Sequence, residues 1–518
     1  MSKTFLVKTT LMATVLAALL SSCAFGVPEY LAYQGDPIAF PQPEITAANY
    51  YRPGAYTDDY TALRREHPNG TQKTMTMDTT GYQRLLVIPV DFTDYRASAL
   101  PEGEQGSITV IKNAFFGQSK TTQWESVTSF YHASSYGQLI FEGMVSDWFN
   151  SDESVAALAS SGSKTVATER ILKAAISWYK QEYGSITDYD MNNDGYIDAV
   201  FLVYAAPYIN NDSVFWAFTS FDTGIDGSLS VGDPIGNGYV WASYHFLNVY
   251  RGKGDPHTFI HEVGHLLGLT DYYNTSSIPA SFPTFNPEDS LFKRYQYTHG
   301  PTGKVDMMDY SIGDHTVLSK MLLDWTRPYV VTGPGDITIR PFVNHGEAII
   351  IAPDWNGKAF DEYLAIEFYA PNGLNYVDSE RAYGHASARL MGNRGIKVYH
   401  VDARASYHRV SGDTFIGYEN EVSIDDLPAP GSYYRNVAHT NTYATTLNEN
   451  LIYRLLEKGD TATFLGGEMA TNDTLFYVGD TFGQDAFSDF QFNSGATLPF
   501  TFEIVSLDRY QATIRFAI

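Results

Sequence analysis

The chain has 518 residues, of which 44% are hydrophobic and 15% aromatic, enough apolar surface for sizeable cores and too much for wholesale disorder. Acidic residues outnumber basic ones 59 to 34, a formal net charge of -25, which removes any electrostatic reason to coat nucleic acid and suits carboxylate-held hard cations. A single cysteine excludes an internal disulfide and any multi-cysteine zinc or iron–sulfur site, and the length suggests about three domains.

The first residues read as an export signal. Lys3 and Lys8 form a positive head, and Leu11 to Leu20 is an apolar run too short for a membrane span. The run ends Leu20-Ser21-Ser22-Cys23, which resembles a bacterial lipobox and implies a lipid on Cys23 as the mature N-terminus. The folded part is therefore expected outside the cytoplasmic membrane, as a cell-surface lipoprotein or a secreted protein, touching lipid only through that anchor. Residues 24–80, rich in Pro, Tyr, Thr and Asp, read as a spacer, a pro-segment or an N-terminal arm.

Residues 81–330 alternate strand and helix patterns. Leu85 to Val90 and Leu139 to Val145 read as strands, with helical stretches at Ile108 to Phe116 and Ser126 to His132 between them. Val166 to Tyr179 reads as a helix whose apolar face holds Ile171, Ala174, Ala175 and Trp178. Ala199 to Ala205 and Tyr239 to Tyr250 read as strands, 258–268 and Val317 to Leu323 as helices. The expected class is an α/β or α+β domain. After 331 short apolar runs separated by Gly, Asn, Asp and Pro predict a mainly β region, divided into 331–457 and 458–518.

The sharpest signal is His261-Glu262-Val263-Gly264-His265. Two imidazoles four residues apart share one helix face and reach one Zn2+ at about 2.0 to 2.1 Å. Glu262 stands beside the first histidine, placed to act as general base on a zinc-activated water. The chain continues Leu266-Leu267-Gly268-Leu269-Thr270-Asp271. Gly268 tolerates a helix-stopping conformation, which returns Asp271 as third ligand and leaves a fourth position open.

This extended motif resembles the metzincin clan of zinc proteases. Asp271, where most of that clan has a histidine, is similar to the immune-inhibitor-A-like bacterial metalloproteases, peptidase family M6. Asp306-Met307-Met308-Asp309-Tyr310 resembles the clan's methionine turn, with Met308 as the floor under the imidazoles and Tyr310 as a ligand at rest or a donor to the oxyanion. Ser134-Ser135-Tyr136-Gly137 and Gly395 to Asp402 resemble two further segments of the family, so the likeness spans about 80–420. It implies a metzincin-like catalytic domain followed by a mainly β region. The implied activity is that of a zinc endopeptidase acting on proteins or peptides; with the export signal, an exported enzyme is expected, monomeric, with substrate laid along an edge strand above the zinc helix. Two other readings are an inactive peptidase-like adhesion protein and a β-rich carbohydrate-binding surface protein.

Asp190, Asn192, Asp194, Tyr196 and Asp198 have the spacing of the opening positions of a Ca2+ loop, with Gly195 at the sharp turn. Phe201 stands where an EF-hand needs glutamate, so this is a structural calcium candidate of another kind, with Asp188 as a further ligand. His400 and Asp402 lie on one face of a strand and are expected to pair with each other. His257 is expected to support the helix start, and Glu288 is a less favoured third zinc ligand than Asp271.

Overall fold

The structure is a computed structural model that describes residues 44–54, 77–209, 213–221, 232–273, 301–384, 388–411, 414–421, 434–436, 451–461, 463–466 and 468–518. Cys23 and Glu288 lie outside the described residues. Among those described, no helix is long and apolar enough to cross a membrane. They divide into two compact units. One comprises Thr80–His132 and Leu139–Leu266; the other comprises Ala133–Gln138, Leu267–Ile518 and the described residues before Thr80. The result is a mixed α/β unit and a region of several β-sheets.

Two short strands come first, β1 (Ile45–Thr46) and β2 (Tyr50–Arg52), and both belong to the second unit. The first unit begins with β3 (Gly81–Asp91), α1 (Gly103–Phe116), α2 (Val127–Ser134, whose last two residues are counted with the second unit), β4 (Leu139–Val145) and β5 (Phe149–Asn150). It continues with α3 (Lys164–Tyr183), β6 (Tyr196–Ile197), β7 (Val200–Tyr204), β8 (Phe218–Phe221), β9 (Ile235–Gly236), β10 (Gly238–Ser243) and α4 (His257–Leu266). Its main sheet runs β4-β3-β7-β10-β8. All neighbours are parallel except the edge strand β8, which is antiparallel to β10. The unbroken apolar runs of β3 and β7 follow from this, because a parallel strand covered by helices on both faces has no polar side.

Alternate residues of β7 point to opposite faces. Leu202 and Tyr204 join Trp241 and α3 in one core, where α3 contributes Ile171, Leu172, Ala175, Ile176 and Tyr179. Ala174 faces solvent, so the buried stripe of α3 lies to one side of the expected one. On the other face Phe201 meets Phe115 of α1 at 4.8 Å between ring centroids, and Phe115 meets Phe259 of α4 at 5.4 Å. The expected strand Tyr239 to Tyr250 stops at Ser243. The next residues form a 3-10 turn, Tyr244–Leu247, ended by Asn248 in the left-handed region, so alternation alone overstated the strand.

The second unit continues with α5 (Met307–Tyr310), α6 (Val317–Leu322), β11 (Tyr329–Val331), β12 (Gly335–Ile339), β13 (Ala348–Ile351), β14 (Glu362–Tyr369) and β15 (Gly395–Asp402). It ends with β16 (Ala405–Ser411), β17 (Thr414–Glu421), β18 (Tyr434–Asn436), β19 (Tyr453–Leu456), β20 (Thr481–Phe482), β21 (Thr501–Leu507) and β22 (Ala512–Ala517). One sheet runs β1-β2-β11-β13-β14-β15-β19, a second β12-β22-β21-β20, and a third β17-β16-β18. Ile349, Ile351, Leu364, Ile366, Ile396 and Val398 of the first sheet share a core with Ile337, Phe482, Phe502, Ile504 and Ile514 of the second. Residues on both sides of 458, separated in the sequence reading, therefore fold around common apolar surface. The segment read as spacer, pro-segment or arm supplies an edge strand of the first sheet, β1, and its neighbour β2. β2 pairs with β11, and Arg52 donates from Nη1 to the Tyr329 hydroxyl at 3.1 Å.

Candidate metal centre

Helix α4 buries apolar and polar side chains alike. Phe259, Ile260, Val263 and Leu266 are fully buried, while His261 and Glu262 are polar yet only 6% and 5% exposed. The helix start is anchored by His257, whose Nδ1 pairs with Asp255 and whose ring stacks on Trp124 at 3.9 Å and 9°. Tyr131 donates its hydroxyl to the Ile260 carbonyl at 2.7 Å. Burial, with a smaller contribution from the Glu262 carboxylate, keeps that hydroxyl protonated. Past Leu266 the chain breaks at Gly268, with φ +94, a region that a side chain would make costly.

The nitrogen or oxygen ligand atoms of His261, His265 and Asp271 all lie within 4.8 Å of one another. The two imidazoles stand edge to face, 4.9 Å apart and 85° between planes. Around a tetrahedral zinc at about 2.0 to 2.2 Å, ligand atoms stand roughly 3.3 to 3.6 Å apart. The three donors are therefore gathered into a cluster that could hold an ion, somewhat wider than a closed tetrahedral site. Its donors, two imidazoles and a carboxylate, suit Zn2+, and half-burial of His265 and Asp271 leaves a side open for a further ligand. The intervening Glu262 is held from strand β8: the Thr219 hydroxyl lies 2.8 Å from Glu262 Oε2 and 3.0 Å from its carbonyl oxygen.

Asp306 caps α5, its Oδ1 accepting from the Met308 N–H at 2.7 Å, and Ser311 ends the turn at φ +56. Met307 and Met308 are fully buried. Tyr310 is half-buried, its hydroxyl pKa raised by burial and then by Asp309, with the Lys304 ammonium 5.4 Å from its ring centre. Burial raises the Asp306 carboxyl to about 6, against hydrogen bonds from Thr316 and Met308.

The acidic loop closes on itself. Asp190 accepts from the N–H groups of Asp194 at 2.9 Å and Gly195 at 3.0 Å. Asp194 accepts from Tyr196 at 2.9 Å, and Asp198 from Met191 at 2.8 Å. Asn192 accepts from Asp194 at 3.0 Å, while Asp188 faces Arg84 at 3.6 Å. Asn193 and Gly195 both take positive φ, 59° and 90°.

His400 does not pair with Asp402. Its Nε2 stands 2.9 Å from Glu362 Oε1, while Asp402 takes a two-pronged contact from Arg404 at 2.7 and 2.9 Å. The reason is register: Glu362 sits directly across from Asp402 on the neighbouring strand. Spacing within one strand does not reveal that neighbour. Thr219 was likewise missed, because nothing local ties it to Glu262.

Searches against protein-family models and against curated proteins find no match to this chain.

Proposed function

We propose that this protein is an exported, zinc-dependent endopeptidase with a metzincin-like catalytic fold. The observation that carries the reading is the convergence of His261, His265 and Asp271 ligand atoms within 4.8 Å, with a buried glutamate inside the histidine pair. When bound, Zn2+ would polarise the scissile carbonyl and acidify a water molecule. Glu262 takes the proton of the attacking water and delivers it to the departing amine. Tyr310 or backbone N–H groups donate to the carbonyl oxygen as negative charge builds there. Met308 supplies a soft apolar floor. Strand β8, at the sheet edge and in contact with Glu262 through Thr219, offers backbone groups for an extended polypeptide.

The lipobox-like start places the enzyme on the outer side of the cytoplasmic membrane, anchored through Cys23 or released. The 190–198 loop holds a structural Ca2+.

The test is digestion of casein or a peptide library by the purified chain, with and without a zinc chelator, beside Glu262→Gln. Cleavage is expected only from the unchelated wild type, and the variant should retain one zinc. A zinc-loaded wild type that cuts nothing would favour a binding or adhesion role, and a glycan-binding screen would then separate the carbohydrate reading.

A further inference from the structure

We infer that Thr219 is a positioning residue: its hydroxyl, projecting from edge strand β8, holds the Glu262 carboxylate in the rotamer from which it acts. This rests on the endopeptidase reading above. The contact is bracketed at both ends of one residue, with Thr219 Oγ1 2.8 Å from Glu262 Oε2 and 3.0 Å from the Glu262 carbonyl oxygen. A hydroxyl has one proton, and the carboxylate is the stronger acceptor, so Oε2 receives it. The neighbouring Tyr131 hydroxyl already donates to the Ile260 carbonyl at 2.7 Å.

Both partners are themselves held. Thr219 lies opposite Val240 in the antiparallel β8–β10 pair, where a β-branched side chain suits the strand and has few rotamers. Glu262 sits on α4, which is fixed by its fully buried Ile260, Val263 and Leu266. A free glutamate has three rotatable bonds, and a hydrogen bond to its terminal oxygen removes most of that freedom before substrate arrives. The same strand is the one offered to an extended peptide, so pairing of substrate and aim of the base depend on a single short segment.

The experiment compares full-chain wild type, Thr219→Val and Thr219→Ser for peptide hydrolysis, zinc content and thermal unfolding. Valine keeps shape and strand preference but removes the donor. Expected for T219V is a kcat lower by about tenfold or more with KM within about twofold, and unchanged zinc content and Tm; T219S should recover most of the kcat. T219V turning over like the wild type while Glu262→Gln is dead overturns this inference and leaves the protease reading standing. Parallel loss of zinc or Tm in T219V, or no recovery in T219S, assigns Thr219 a merely structural role and also overturns it. A wild type that cleaves nothing overturns both together.

Discussion

The backbone N–H of Tyr272 donates to the Met308 carbonyl at 2.8 Å, which ties the residue after Asp271 to the turn that carries both methionines. The Tyr272 ring is fully buried, and its hydroxyl meets Ser319 Oγ at 2.7 Å. Asp271 is thus held by what its neighbour does, not by its own loop alone.

Replacing Asp271 removes the only oxygen donor of the triad. Asp271→Ala should weaken zinc binding by about a hundredfold or more, because two imidazoles remain where three ligands stood. Asp271→His should keep most of the affinity. Chelator competition measures both, and an alanine variant with wild-type affinity would exclude Asp271 from the metal.

The acidic loop predicts a separate cation effect. Adding Ca2+ to metal-depleted protein should raise Tm by several degrees, as expected for a ligand that binds only the folded state. The rise should vanish in Asp190→Ala, whose carboxylate also organises the loop through Asp194 and Gly195. Equal Tm values with and without Ca2+ in the wild type would sink the assignment.

A buried ion pair sets a third expectation. Lys320 Nζ lies 2.6 Å from Asp314 Oδ2 and 3.0 Å from the Tyr136 hydroxyl, with both charged side chains 5% exposed or less. Burial lowers the lysine pKa and raises that of the aspartate, so each depends on the other to stay charged. Lys320→Met should cost about 3 to 5 kcal/mol by stranding Asp314, and adding Asp314→Asn should restore part of that loss. Denaturant unfolding of the single and double variants reads the difference.

The Glu362–His400 pair gives a pH dependence with a definite sign. Burial holds His400 below the ordinary histidine value, so it is neutral in the fold and its contact with Glu362 is a hydrogen bond. For Glu362, burial pushes upward, but hydrogen bonds from His400 and Ser494 outweigh it and the pKa falls below the usual carboxylate value. A lowered histidine takes up its proton more readily when unfolded, so its share of stability is lost as pH falls below about 6.5. A lowered carboxylate contributes above its unfolded value of about 4.3 and loses that share as pH falls through the folded one. Both act in one direction. The Tm of His400→Gln should therefore fall less steeply than that of the wild type between about pH 6.5 and 5, and identical slopes would remove His400 from the acid response.

Much of the first unit was legible because its signals are local. The apolar run from Leu85 to Val90, the helical pattern through 171–179 and the glycine after the second histidine each bear on a few consecutive residues. The structure places a strand, a helix and a positive-φ turn there. The misreadings have physical causes. Alternation past Ser243 looked like strand, yet it belongs to a tight turn whose side chains are buried by the fold around them. The face of α3 was displaced because Ala174 is apolar but small, and pattern alone does not say which alanines face a sheet.

By itself the sequence determined the candidate donor set, since two histidines on one helix face and an aspartate just past a glycine break are consequences of helical geometry and backbone sterics over eleven residues. Only tertiary structure decided who supports it. The partners of Glu262 and His400 come from Thr219 and Glu362 on other strands, and β2 finds β11 far along the chain. Such contacts are chosen by sheet order and register, which arise when the cores close and leave no trace in the spacing of neighbouring residues.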